Sequence, residues 1–398
     1  MVIMSEYTIL DRKEYIGEIR EIMNRREGVL DDQKAMELIE SYVFSRDKAG
    51  NCSPRENSRL IRRIFLTLRR EMDILQPYVD DRSISEIMVN GRDHLFVERD
   101  GRMERLPFSF DTTEDLEELI RRIAARVHRE INELNPIVDA RLSDGSRVNA
   151  VLKGVALNGP ILTIRKFPER VLTMEDLVRG DTLPEDAARL LTGLVKARYN
   201  CFISGGTSSG KTTFLNVLSQ AIPPGERVVV IEDSAELMIR QIDNIVRLEC
   251  RSANIQGKGA IDMAMLVRNS LRMRPDRIII GEVRGAEVMD MIQAMNTGHA
   301  GSMSTGHANS IAGMLKRLEA MFLQAAEIPM DAIRSQIAEG IDIIIHMSRC
   351  RDGRRRVIEI AEVDAPRDGI IRTNRLYRLD EGLTGASIIH REKLEGWI

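Results

Sequence analysis

The spacing of hydrophobic positions changes three times along the chain. Over about 10–78 apolar residues recur at helical intervals, with Ile16, Ile19, Ile22 and Met23 in one run and Ile61, Ile64, Phe65 and Leu68 in another, Arg and Glu filling the gaps. Pro54 suits the first turn of a third helix, where a missing N–H costs nothing. This stretch predicts a small helical bundle. Between about 82 and 166 the pattern shortens to strands: Ile84, Ile87, Val89 and Leu95–Val97 are broken by Asn90-Gly91 and Asp100-Gly101, dipeptides that supply the positive φ of tight hairpins. A helix is expected over Thr113–Arg129, capped by Asp111 or Thr112. Strands at Pro136–Leu142 and Ser146–Val151 flank Asp144-Gly145, and Ile161–Arg165 reads as a last strand. The pattern predicts an α+β domain built on antiparallel sheet.

Residues 167–183, with Pro168, Gly180 and Pro184 nearby, read as a linker. From there to about 347, apolar β runs alternate with helical runs: Phe202–Ser204, Arg227–Ile231, Ile245–Glu249, Arg277–Ile280, Ser302–Thr305 and Asp342–Met347. Such alternation implies a largely parallel sheet covered by helices. An Arg-rich turn, Arg349–Arg356, and one or two hairpins complete the chain.

Composition narrows the function classes. With 398 residues, 58 Lys+Arg and 61 Asp+Glu, the formal net charge is -3, so the whole chain has no attraction for nucleic acid or an anionic membrane. Cys52, Cys201, Cys250 and Cys350 lie far apart with no C-x-x-C pair, which disfavours a tetracysteine zinc site or a disulfide framework and suits a reducing cytoplasm. No run approaches the ~20 apolar residues of a membrane helix, and the mixed charges of Met1–Tyr15 do not read as a signal peptide.

Candidate chemistry is concentrated after the second strand run begins. Gly205-Gly206-Thr207-Ser208-Ser209-Gly210-Lys211-Thr212-Thr213 satisfies G-x-x-x-x-G-K-[ST], between the apolar run Cys201–Ser204 and the amphipathic run Thr213–Ile222. Small residues let successive N–H groups turn around a phosphate, and the following helix adds its positive end. Lys211 offers a point charge to β/γ-phosphates, and the Thr212 hydroxyl can ligate Mg²⁺. Ile278–Ile280 then runs into Gly281-Glu282, with Gly281 where a Walker B strand normally carries Asp, leaving Glu282 to orient or deprotonate water. The strand Arg227–Ile231 ends in Glu232-Asp233-Ser234-Ala235-Glu236, at the edge where parallel sheets bind ligands, so Glu232 and Glu236 are candidates for metal-water contact or a second base. Asp233 reads equally well as a helix-capping acid.

The phosphate loop, the 231–237 segment IEDSAEL, the strand end IIIGEVRGAE and Ser304–Ser310 occur in that order. Together they resemble the Walker A, Asp, Walker B and His boxes of the type II/IV secretion ATPase superfamily. Leu271–Asp276 and Ala294–His299 look most like its tight-adherence (Tad/CpaF) pilus assembly branch, and the absence of the zinc-binding cysteines of the type II secretion branch favours the Tad and type IV secretion side. The resemblance implies an N-terminal helical bundle (1–78), a PAS-like domain (80–167), a linker (168–183) and a RecA-like P-loop ATPase domain with a C-terminal hairpin region (184–398). It also implies a homohexameric, Mg²⁺-dependent ATPase, cytoplasmic and peripheral at the inner membrane, that drives a pilus or secretion platform protein without direct nucleic-acid binding.

By position, Arg147 and Arg165, with Arg141 beside them, would be the arginines the family brings to the phosphates, and His307 its His-box residue; His299 is a second histidine of interest. Guanidinium forks suit phosphate oxygens because they bind them bidentately and stay charged. Many relatives carry Gly where Ser208 stands. A type IV secretion or conjugation channel ATPase, a nucleic-acid translocase and a slow nucleotide switch are the rival readings. The Arg349–Arg356 run is the local support for nucleic acid.

Overall fold

The computed structural model describes residues 6–25, 30–46, 53–99, 101–167, 171–251, 253 and 258–395, so Cys52, Asp100 and Pro168 lie outside the described residues. The chain divides into two compact units, Met1–Glu169 and Arg170–Ile398.

The first unit opens with three helices, α1 (Glu6–Arg25), α2 (Asp32–Arg46) and α3 (Pro54–Arg69). They bury Ile19 of α1, Ile39 and Val43 of α2, and Leu60, Ile61, Ile64 and Phe65 of α3 against one another. Each fully buried side chain of this kind stabilises by about 1.5–3 kcal/mol. Ser53 caps α3 in a capping box with Glu56, and Pro54 occupies the first turn as its position in the sequence suggests. A short helix, α4 (Gln76–Asp80), leads to an antiparallel sheet of order β3-β2-β1-β6-β5-β4: β1 (Ile84–Asn90), β2 (Leu95–Arg99), β3 (Arg102–Arg105), β4 (Ile137–Arg141), β5 (Arg147–Val151) and β6 (Ile161–Arg165). Alternate residues Ile87, Val89, Val148, Ala150, Leu162 and Ile164 form its core with α5 (Thr113–Arg126), which stops at Arg126, short of the expected Arg129, with His128 beyond it in a left-handed conformation. Thr112, not Asp111, is the N-cap of α5. Asp111 is buried instead and pairs with Arg12 of α1 and Arg63 of α3.

The second unit contains α6 (Met174–Arg179), α7 (Glu185–Lys196), β7 (Cys201–Gly205), α8 (Lys211–Ser219), β8 (Val228–Glu232), β9 (Ile245–Glu249), α9 (Met263–Ser270), β10 (Arg277–Ile280), α10 (Glu287–Asn296), β11 (Met303–His307), α11 (Ile311–Ala325), α12 (Met330–Gly340), β12 (Ile343–Arg349), β13 (Arg355–Arg367), β14 (Ile370–Arg378) and β15 (Gly382–Leu383). Within the stretch expected to be a linker, α6 carries its own capping box, and Leu177 and Leu183 enter the core of this unit. The sheet runs β15-β14-β13-β12-β7-β11-β10-β8-β9, parallel from β12 to β9 and antiparallel from β12 to β15. Its central strands are apolar on both faces, as strands covered twice must be. Cys201, Ile203, Val228, Val230 and Ile279 face one helical layer. Phe202, Val229, Ile231, Ile278 and Ile280 face the other.

Candidate functional site

The sheet order sets the geometry of the site. Strand β11 lies between β7 and β10, with His307 in register with Gly205 and Ser304 with Ile280. The carboxyl ends of β7, β11 and β10 therefore present the phosphate loop, His307 and Glu282 side by side, at the edge where open parallel sheets bind ligands.

The loop turns sharply from β7 into α8. Gly205 is packed so tightly that a Cβ there would lie 2.5 Å from the Met347 carbonyl oxygen and 2.5 Å from Ser209 Oγ. Ser208 and Gly210 both have left-handed backbones, with φ of +59° and +93°. For glycine that conformation is free, whereas for serine it costs about 1–2 kcal/mol. Gly206 faces open space, Thr207 and Ser208 are exposed, and Ser209 is buried with an Oγ that has no hydrogen-bond partner among the described residues. Thr212, half-buried, and Thr213, exposed, follow Lys211 in the first turn of α8, where Phe214, Leu215 and Leu218 anchor the helix in the core.

Lys211 is 7% exposed, and among the described residues its Nζ meets the Gly206 carbonyl at 2.9 Å and His307 Nδ1 at 3.3 Å. An ammonium donates only, so Nδ1 accepts and the imidazole proton sits on Nε2. That nitrogen lies 2.7 Å from Glu282 Oε1. Arg284 grips the other oxygen, Glu282 Oε2, through Nη2 at 2.7 Å and Nε at 3.1 Å, and also lies 3.6 Å from Asp233. Burial lowers the Lys211 pKa, with Glu282 opposing that shift. Burial and the neighbouring Lys211 charge lower that of His307, which keeps the ring neutral at neutral pH. A buried cation held by a carbonyl and a neutral imidazole, beside an unpartnered hydroxyl and a helix N-terminus, fits a phosphate group.

The acidic segment after β8 divides in two. Glu232 is 4% exposed, and its Oε1 accepts the backbone N–H groups of Glu236 at 2.7 Å and Leu237 at 2.9 Å. That oxygen thus shapes the turn that carries Glu236, which is itself half-buried. Gly281, at the position where a Walker B Asp is expected, abuts the Glu232 side chain: a Cβ there would be 3.2 Å from Glu232 Cγ, a tight contact. Thr305 Oγ1 donates to the Gly281 carbonyl at 2.7 Å and ties β11 to the end of β10. His299 is placed differently from His307: its Nδ1 donates to the Ala294 carbonyl at 3.1 Å and closes the end of α10.

In the first unit, Arg141, Arg147 and Arg165 form one cross-strand row over β4, β5 and β6, continued by Glu86 on β1. Arg141 stacks over Phe167 at 5.5 Å and donates through Nε to the Gly145 carbonyl. Adjacent like charges on neighbouring strands are unfavourable by themselves.

Two further arginines belong to the site that the spacing of its motifs does not mark. Arg284 stands two residues beyond Glu282 and orients it. Arg355 belongs to the Arg-rich turn, and its Nε donates to the Ser208 carbonyl at 3.1 Å. For Arg284 the signal was its proximity to Glu282; for Arg355 spacing alone carries none.

Over residues 69–381 the chain matches the family described as type II/IV secretion system protein. It is 34% identical over 335 residues to a putative conjugal transfer protein of Mycobacterium tuberculosis, covering 82% of this chain and 94% of that one. Conjugal transfer protein TrbB of Rhizobium radiobacter is 31% identical over 330 residues, with 82% and 97% covered. Among solved structures, the pilus retraction motor PilT with bound ADP superposes with a TM-score of 0.55 at 20% identity, covering 74% of this chain and 83% of that one. This last likeness concerns the fold, which is of the RecA-like α/β type with helices at its N-terminus. The chain belongs to the type II/IV secretion system protein family.

Proposed function

We propose that the chain is an ATPase that powers pilus assembly or protein secretion, working as a homohexamer on an inner-membrane platform protein. The observation that carries this reading is the line Lys211–His307–Glu282 along the carboxyl edge of the parallel sheet. Lys211 exchanges the Gly206 carbonyl for phosphate oxygens, the loop N–H groups and the first turn of α8 hold the phosphates, and His307 is released from Lys211 to follow the γ-phosphate. Glu282, held by Arg284, accepts the proton of the attacking water, whose oxygen displaces ADP from the γ-phosphorus. Glu236 is the second carboxylate beside the reaction, and Arg141, Arg147 and Arg165 are phosphate-binding arginines.

Among the described residues no group of three or more His, Cys, Asp or Glu is arranged to hold a metal. Mg²⁺ at a nucleotide site takes waters and phosphate oxygens beside one or two protein oxygens, and the Thr212 hydroxyl in the first turn of α8 is one such oxygen. Thr212 would hold it, and the ion would neutralise charge on the phosphates. Proposed boundaries are a bundle at 1–78, a PAS-like domain at 80–167, a linker at 168–183 whose α6 packs into the second unit, and the ATPase domain at 184–398.

Leu271–Asp276 and Ala294–His299 support the tight-adherence pilus branch. A conjugation or type IV secretion channel is the second reading, favoured by the relatives named conjugal transfer proteins. Steady-state ATP turnover tests the activity: Lys211→Ala, Glu282→Ala and Arg147→Ala each lose it, and near wild-type turnover in all three defeats the proposal. Pull-down from membranes then separates the branches. A polytopic platform protein with pilins supports the first, and a conjugation channel the second.

A further inference from the structure

The Arg-rich turn has a structural role that its sequence does not announce. It joins β12 to β13, with Arg349 in register with Arg355. Arg354 pairs with Asp181, and Arg356 lies 2.7 Å from Asp352, so both charges are answered inside the unit. Arg355 is directed at the phosphate loop. Its Nε donates to the Ser208 carbonyl, and its Cδ lies 3.1 Å from where a Cβ on Gly210 would stand. The Met347 carbonyl, at the other side of the same hairpin, closes against Gly205. The hairpin thus backs the loop along its length.

Ser208 occupies a left-handed backbone conformation, φ +59°, that a serine does not hold cheaply. A loop whose N–H groups face an anion turns carbonyls outward. Because the peptide is planar, fixing the Ser208 carbonyl also fixes the direction of the Ser209 N–H. That N–H makes a long contact, 3.4 Å, with the Gly206 carbonyl.

We propose that Arg355 is a positioning residue for the phosphate loop: by gripping the Ser208 carbonyl it holds the Ser208–Ser209 peptide, with Ser208 left-handed, in the orientation that receives nucleotide phosphate. This rests on the nucleotide-binding reading above. The serine makes Arg355 necessary, since glycine reaches the same backbone unaided.

The test uses the full chain and two readouts. In titrations with a fluorescent ADP analogue, Arg355→Ala weakens binding about tenfold, the scale of one charge-assisted hydrogen bond. In the Ser208→Gly background the same change costs less than threefold, and the loss falls on Kd rather than on kcat at saturating ATP. Amide exchange of the nucleotide-free protein gives the second readout: protection over 206–210 falls in Arg355→Ala and is restored in the double variant. Equal tenfold losses in both backgrounds, or unchanged exchange in Arg355→Ala, overturn the proposal. Wild-type protein that binds no analogue while the exchange pattern holds overturns the nucleotide reading and leaves the loop-positioning role supported.

Discussion

Glu232 and Glu282 stand at the ends of neighbouring strands with different hydrogen-bond partners, and the different tasks proposed for them are separated by Glu232→Gln. One Glu232 oxygen accepts two backbone N–H groups, at 2.7 and 2.9 Å, inside a site that is 4% exposed. A glutamine amide oxygen can accept both. Replacing a charged acceptor by a neutral one costs roughly 1 kcal/mol, while removing a buried charge recovers part of its desolvation, so the net change is within about 1 kcal/mol. Glu232→Ala instead strands two donors at about 1–3 kcal/mol each, or about 2–6 kcal/mol together. Burial raises the Glu232 pKa above its ordinary 4.5, and the two N–H groups oppose that shift. A carboxyl raised in the folded state contributes fully below 4.5 and loses that contribution as pH rises through its folded value, so wild type declines against Glu232→Gln over that window. Urea midpoints between pH 4 and 8 measure the stability, and steady-state turnover measures the chemistry. Glu232→Gln keeps turnover within a few-fold, whereas Glu282→Gln loses about 10²–10⁴ as a missing proton acceptor does. An equal loss in both variants would refute the division of labour.

Arg277 is fully buried and pairs bidentately with Glu226, at 2.6 and 3.0 Å, while its Nη1 donates to the Val195 carbonyl. Glu226→Ala leaves that guanidinium uncompensated and destabilises by about 3–5 kcal/mol in urea unfolding, and a change under about 1 kcal/mol would show that the pair is dispensable. The His307 pKa lies below its ordinary 6.5, so its stabilising contribution is complete above 6.5 and is lost as pH falls through the folded value. His307→Gln removes this acid-side decline in the urea midpoint, and identical pH profiles would contradict the burial of a neutral ring. Gly281→Asp forces a second carboxylate against Glu232, and at about 4 Å with an effective dielectric of 20 the repulsion is roughly 4 kcal/mol. It is expected to lower the thermal midpoint at pH 8 more than at pH 5, and the reverse order would exclude charge repulsion as the cause.

Much of the second unit was legible because local and global signals agree there. The run Cys201–Ser204, the glycine-rich loop and the amphipathic α8 each specify their own conformation, and their order implies a parallel sheet. Hairpin dipeptides served the first unit in the same way, as the left-handed Gly91 and Gly145 show. What spacing does not encode is which strands become neighbours. That β11 lies between β7 and β10 is a tertiary fact, and it alone makes His307 the bridge from Lys211 to Glu282. The turn role of Glu232, the reach of Arg355 and the row Arg141–Arg147–Arg165 depend on such neighbours. Helix α6 was hidden for another reason: six residues between glycine and proline signals are too short to establish helical periodicity, although Thr173 and Asp176 form a complete capping box.

If one edge of the parallel sheet both binds and hydrolyses ATP, as proposed, the two acts can be separated by substitution. Equilibrium titration with labelled ATP, paired with a single-turnover assay of phosphate release, should be run on wild type, Lys211→Ala and Glu282→Gln. Wild type is expected to bind and release phosphate, Lys211→Ala to lose binding, and Glu282→Gln to bind as wild type does but release phosphate at least about a hundredfold more slowly. Undiminished binding in Lys211→Ala, or wild-type phosphate release by Glu282→Gln, would contradict the proposal.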